Sequence, residues 1–382
     1  MKFTVKKSDI LDVLSKVQGI TGRKSNMAIT THVLLRVANG EVTLFATDLE
    51  TGFEGSYPAK VEIEGGVAIN SRKLFEIIRD FPDADVEVHE VDNHWIEIGN
   101  ETVQYHIVGM NPDDFPENPA ADDIPLFDID SIALKKMIDR SVSIGGAADD
   151  KRAHILGVLL EGVGENDDAQ AHLLRIVSTD GSRLNLTEYS YKDSVDLPAD
   201  TSILVPKSAL YEMGKFLEAG ESVKWGYKGN RFLIKKLNET LITRLLEGEF
   251  PGYQQILDLR EEMRSEGKIH EVVLDRQLFL MMLRRMSILS SENYKGVIFT
   301  FERDRLTINS TNPDIGESKE DMAINFPHDK LEMAFNPRFF IDALNHLNDE
   351  KILISFVDEE KPCLVEGEEE KAYLGVIMPM RI

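Results

Sequence analysis

Three short stretches of this chain are variants of one another. Leu44-Phe45-Ala46-Thr47-Asp48, Val177-Ser178-Thr179-Asp180 and Ile308-Asn309-Ser310-Thr311-Asn312 each close an apolar, alternating run with Thr-Asp or Thr-Asn. Their threonines stand at 47, 179 and 311, two intervals of 132 residues. Alternation of that kind marks a half-buried strand. A strand-end motif recurring at so long a period predicts one domain present three times.

A chain of 382 residues, 42% of them hydrophobic, has the length and the apolar content for three cores. The expected boundaries are 1–124, 125–255 and 256–382, with the Pro- and Asp-rich stretch Asn111–Pro125 as the first linker. Each copy reads as two half-units, a helix followed by strands. The inward positions are Ile10, Leu14 and Val17; Leu74, Ile77, Ile78 and Phe81; Leu134, Met137 and Ile138. They continue with Leu210, Met213 and Leu217; Phe279, Met282 and Met286; Phe340, Leu344 and Leu347. Ser8, Pro206 and Asp275 are expected at helix starts, and Lys16, Lys135, Lys136 and Arg140 are expected to face outward. Helix-plus-strands units without parallel crossovers predict an α+β fold, antiparallel sheets with helices on one face. Open sheet edges would then have to be paired, covered or charged. Tandem copies joined edge to edge, closed by a second arc, would satisfy them.

Composition excludes several functions. Apolar runs such as Leu278–Leu283 fall far short of the ~20 residues of a membrane helix. The start Met1-Lys2-Phe3-Thr4-Val5-Lys6-Lys7 lacks a signal core, and Cys363 is the lone cysteine, so a cytoplasmic protein is expected. No catalytic, metal or cofactor motif stands out: the nine histidines are scattered, and Gly162-Val163-Gly164 lacks what a phosphate cradle needs. Asp48-Leu49-Glu50 is the one candidate cation site, as in a metal-dependent nuclease. Its counterparts Asp180-Gly181-Ser182 and Asn312-Pro313-Asp314 favour a turn instead.

A net charge of −24 repels nucleic acid at long range. Against that background Arg72, Lys73, Lys135, Lys136, Lys207, Lys215, Arg284 and Arg285 fall on the repeated helices, which suggests a face selected for phosphate. An acidic scaffold that binds peptides without encircling DNA is the alternative.

Thr179-Asp180-Gly181-Ser182-Arg183-Leu184, Phe250-Pro251-Gly252-Tyr253, Ile288-Leu289-Ser290 with Lys295-Gly296-Val297, and the terminal Val376–Ile382 carry a resemblance. Over its whole length the sequence resembles the β sliding clamps of bacterial DNA polymerase III. That resemblance implies a head-to-tail homodimeric ring, helices inside and sheets outside, which slides on duplex DNA irrespective of sequence. It implies no chemistry of its own and no cofactor. Its partners would be the replicative polymerase, repair and translesion polymerases and an ATP-dependent clamp loader. The shared partner-peptide cleft would comprise Arg152, Ile155, Thr179, Gly181, Arg183, Leu184, Pro251, Gln255, Ile256, Tyr294, Val376, Met378, Pro379, Met380 and Arg381. The DNA-facing residues would be Lys24, Arg72, Lys73, Lys136, Lys207, Arg284 and Arg285, and the subunit contact Tyr105 against Ile288 and Leu289. Ser182 and Gln255 depart from the histidine and arginine frequent in the family, Ala153-His154 from an aromatic pair, and Ala28–His32 from the usual first-domain loop.

Overall fold

The structure is a computed structural model, described here for all residues except 23–26, 118–120, 145–151, 165–169, 199, 218–221, 266, 290–295 and 382. Six times a strand runs directly into a helix and is followed by further strands. The first half-unit is β1 (Lys2–Lys6), α1 (Lys7–Thr21), β2 (His32–Ala38), β3 (Glu41–Thr47), β4 (Thr51–Pro58) and a short β5 (Lys60–Ile63). The second is β6 (Gly65–Asn70), α2 (Ser71–Asp80), β7 (Asp85–Glu90), β8 (Trp95–Gly99) and β9 (Gln104–Val108). The third has β10 (Phe127–Asp130), α3 (Ser131–Val142), a one-turn α4 (Ala153–Leu156), β11 (Gly157–Val163), β12 (Gln170–Thr179) and β13 (Arg183–Pro198). The fourth has β14 (Ser202–Pro206), α5 (Lys207–Phe216), β15 (Ser222–Lys228), β16 (Arg231–Lys236) and β17 (Glu239–Arg244). After α6 (Gln254–Ser265) come β18 (His270–Asp275), α7 (Arg276–Met286), β19 (Val297–Glu302), β20 (Arg305–Asn312) and β21 (Gly316–Ala323). The last half-unit is β22 (Leu331–Phe335), α8 (Pro337–Asn345), β23 (Lys351–Phe356), β24 (Cys363–Gly367) and β25 (Tyr373–Ile377).

The strand before each helix is what the sequence reading missed. It pairs with the strand after the other half-unit's helix: β1 with β7, β6 with β2, β10 with β15, β18 with β23, β22 with β19; β1 pairs in addition with the short β5 of its own half-unit. Half-units therefore exchange their leading strands, and neither can complete a sheet alone.

The chain forms two compact units, Met1–Lys136 with Val205–Leu246, and Met137–Leu204 with Glu247–Ile382. The first holds a five-stranded sheet, β5-β1-β7-β8-β9, and an eight-stranded sheet, β10-β15-β16-β17-β4-β3-β2-β6. The second holds an eight-stranded sheet, β14-β11-β12-β13-β25-β24-β23-β18, and a four-stranded one, β21-β20-β19-β22. All pairings with a defined register are antiparallel. Each eight-stranded sheet is two four-stranded sheets joined at a seam, β17 to β4 and β13 to β25.

The apolar stripes behave as their period demands. The inward positions named on all six helices are buried or nearly so, over cores such as the cluster of Phe279, Phe299, Phe335 and Phe340. Asn70, Asp275 and Asn336 cap their helices by accepting from Lys73, Leu278 and Arg338 N–H. Ser8 does not cap α1, because β1 runs straight into the helix and Lys6 takes the cap position; likewise Pro206 is the cap residue of α5, not in its first turn.

Two cations expected outside are inside, each because a seam supplies partners from far along the chain. Lys16 is ion-paired with Asp12 at 2.6 Å and lies 4.0 Å from Glu239 on β17. Arg140, 2% exposed, donates to His346 O at 2.9 Å and Glu370 Oε1 at 2.7 Å, with its guanidinium 4.9 Å from the Tyr373 ring centre. In the first unit, α1 and α5 approach so closely that a Cβ on Gly19 would sit 2.1 Å from Glu212 Oε2.

Candidate functional site

The recurring Thr-Asp motif is a turn. Asp48 Oδ1 accepts from Glu50 N at 3.0 Å and Thr51 N at 2.6 Å, while Thr47 Oγ1 donates to Thr51 O and accepts from Leu49 N. Asp180 repeats the pattern with Ser182 N and Arg183 N, and Thr179 with Arg183 O and Gly181 N. The third residue of the turn has positive φ, 79° at Leu49 and 90° at Gly181; glycine takes this without the cost a side chain adds. In the third copy the turn is one residue longer: Thr311 faces Glu317 and is exposed, and the buried Asn312 donates to Leu289 O. The Asp48 carboxylate is thus spent on backbone. Among the described residues no group of three or more His, Cys, Asp or Glu side chains is placed to hold a metal ion.

Around the second turn, in the second unit, four of the expected cleft residues lie close together: Thr179, Leu184, Val376 and Met378. Thr179 faces Leu184, Leu184 faces Val376, and Val376 faces Leu364, one cross-strand row over β12, β13, β25 and β24. Beyond β25 the chain stays fastened. Met378 N donates to Ser182 O at 3.0 Å, and Met380 N to Ala334 O on β22 at 2.7 Å. Between those two tethers Pro379 allows little freedom, so the methionines are held apart with their side chains 40% and 38% exposed. The tail borders a cavity of about 990 Å³ of mixed lining: Leu331, Met333, Met378, Pro379 and Met380 alternate with Lys330, Glu332, Glu359, Glu360 and Arg381, and the row from Thr179 to Leu364 does not reach it. Leu184, Val376 and Leu364 in the row are buried, so what the tail exposes is the two flexible thioethers.

Arg183 is oriented by its neighbours. Its Nε donates to Asp180 Oδ2 at 3.0 Å, its Nη1 to Asp342 Oδ2 at 2.6 Å, and its guanidinium lies 4.5 Å from the Phe339 ring centre. Asp342 and Phe339, both on α8, were not singled out from the sequence; their role depends on a contact 159 residues away along the chain. Ala334 was missed as well, and Ser182 was named only for its side chain; here both act through carbonyl groups, which any residue supplies.

Ile155 is buried on α4 and Arg152 is exposed just before it. Pro251 and Gln255 are exposed and Ile256 half-buried, where the chain enters α6. Pro251 borders a second cavity, of about 820 Å³, with Glu161, Arg175 and Tyr253. There the Tyr253 hydroxyl donates to Glu161 and accepts from Arg175 Nη1; burial, and then the Glu161 bond, push the phenol above its ordinary range. The grouping of Pro251, Gln255 and Ile256 with the methionines rests on the resemblance. Tyr294 and, among the cations, Lys24 lie outside the described residues.

Arg72 and Lys73 stand exposed in the first turn of α2, and Arg284 and Arg285 exposed in the last turn of α7. Lys136 and Lys207 are half-buried. Tyr105 is 38% exposed on the edge strand β9, and Ile288 is 74% exposed beside a half-buried Leu289.

Tandem α+β copies joined through sheet edges, with exposed cations on the repeated helices, are the architecture of the DNA clamp class. Comparison with known proteins gives the family. Models of the N-terminal, central and C-terminal domains of the DNA polymerase III beta subunit match residues 1–119, 128–252 and 266–381. The beta sliding clamp of Chlamydia muridarum is 28% identical over 382 residues, covering 100% of this chain and 99% of that protein. That of Escherichia coli K12 is 26% identical over 384 residues, covering both fully. The crystal structure of the DNA polymerase III subunit beta from Pseudomonas aeruginosa superposes with a TM-score of 0.90, at 26% identity and complete coverage of both chains. The chain belongs to the DNA polymerase III beta subunit family, whose members are non-catalytic accessory subunits of that polymerase.

Proposed function

We propose that this chain is a processivity clamp: two copies, head to tail, close a ring around duplex DNA and tether the replicative polymerase through the cleft at Leu184, Val376, Met378 and Met380. A clamp loader would open the ring at the expense of ATP, and repair and translesion polymerases would share the cleft. The three domains are read as 1–124, 125–255 and 256–382, with α6 spanning the second boundary.

One observation carries the ring. Leaving aside the short β5, the last strand of a half-unit is the joining strand: β4 meets β17, and β13 meets β25. Four of the six half-units are used in this way. The two left over end in β9 and β21, each at the edge of its sheet. A second copy arranged head to tail lets β9 of one chain meet β21 of the other, a third joint of the same kind, made twice. Support for that contact comes from Tyr105 on β9 and from Leu289, whose carbonyl is bonded to Asn312 at the start of the β20–β21 turn.

The test is primer extension on a singly primed circle, with the cognate loader and polymerase and an excess of trap DNA. Adding this protein should lengthen products made in one encounter; unchanged product length with an active loader would refute the reading.

A further inference from the structure

The cations on the helices do not stand alone. On α2, Arg72 Nε donates to Glu76 Oε1 at 3.0 Å and Lys73 Nζ to Glu76 Oε2 at 2.9 Å, so one carboxylate holds both. Arg72 and Glu76 border a cavity of about 540 Å³ with Arg79, Asn70 and Gln18. On α7, Arg285 Nε donates to Glu320 Oε2 at 2.9 Å, and its Nη2 to the other oxygen. Glu320 comes from β21, not from the helix itself, so this second pairing is not a by-product of helical spacing. Hydrogen bonds from Lys73, then Arg72, hold the Glu76 carboxyl below its ordinary range, and Arg285 does the same for Glu320.

A carboxylate with two oxygens aimed at a guanidinium or ammonium occupies the place that a phosphate would take. All these side chains are at least partly exposed, so each pair is weak and exchangeable. We propose that Glu76 and Glu320 are resident substitutes for DNA phosphate. Each gives up its cations to a passing phosphate and takes them back, so no phosphate is held for long. The inference rests on the reading that these helices face DNA. It assigns the carboxylates a role in that reading: they lower adhesion, so that a topologically held ring can slide.

The consequence is measurable without a loader. Equilibrium binding of a linear fluorescent duplex to the full-length chain would be followed by anisotropy from 50 to 200 mM salt. Three proteins would be compared: wild type, Glu76→Gln/Glu320→Gln, and Arg72→Glu/Lys73→Glu/Arg285→Glu. The Gln variant should bind about 5- to 10-fold tighter at the low-salt end, since three weak pairs no longer compete. Its plot of log affinity against log salt should steepen by roughly 0.9 for each additional phosphate neutralised. The Glu variant should bind more weakly than wild type. If the Gln variant matches wild type in affinity and slope while the Glu variant loses binding, the helices face DNA but the carboxylates have no such role. If neither variant differs from wild type, the DNA-facing reading of these helices falls too. Circular dichroism of both variants would verify the fold.

Discussion

Arg140→Ala tests how the second seam is held. The side chain lies between α3 and the β13–β25 joint, bonded to Thr187, His346 O and Glu370 and stacked on Tyr373, while Asn185 Nδ2 donates to the Arg140 carbonyl. Removing one partner of a fully buried ion pair costs about 3–5 kcal/mol, because the other charge is stranded. Here Glu370 retains 19% side-chain exposure and can be partly rehydrated, so the lower end applies. The lost cation–π contact adds to it, and roughly 3 kcal/mol is expected in all. For a unit of this size that corresponds to a drop in melting temperature of about 6–12 °C. Thermal unfolding followed by near-ultraviolet circular dichroism would report it, because Tyr373 packs in the affected core. Arg140→Ala/Glu370→Ala should be less destabilised than the sum of the single variants. A single-variant loss below about 0.5 kcal/mol, with additive double-variant behaviour, would show that the network does not hold the seam.

Three further outcomes are expected. Ile288→Ala/Leu289→Ala should shift the dimer toward monomer by removing on the order of 2–5 kcal/mol of apolar contact, as read by sedimentation at nanomolar concentration. Met380→Ala should weaken a partner peptide by about 1–3 kcal/mol without dissociating the dimer; calorimetric titration would check it. Burial, and then the charge of Arg140, lower the pKa of His346, so the folded state favours its neutral form. Its contribution is full above the ordinary histidine value of 6.5 and is lost as pH falls below it, toward the lowered folded value. His346→Gln should flatten the decline of melting temperature between pH 7 and pH 5.

What the sequence made legible was local. Apolar positions at helical spacing, such as Leu74, Ile77 and Ile78, have the period of a buried stripe, and they are buried. The Thr-Asp turn was legible because Asp180 bonds within three residues of itself. Lys16 and Arg140 were misplaced because periodicity cannot see Glu239 or Glu370, which come from other copies of the repeat. Strand exchange between half-units was hidden for a similar reason: β1 and β10 are too short to show a pattern of their own. At the proposed cleft, Leu184, Met378 and Met380 are named through the family resemblance. The carbonyls of Ser182 and Ala334, which tether the backbone of Met378 and Met380, could not be foreseen.

The most direct test of encirclement is release on linearisation. The protein would be loaded by its cognate loader onto nicked circular DNA, freed of excess by gel filtration, and the circle then cut at a single site. A ring held by topology stays on the closed circle through a salt wash and leaves within minutes of cutting. Loss from circle and linear DNA at one salt-dependent rate would contradict the clamp.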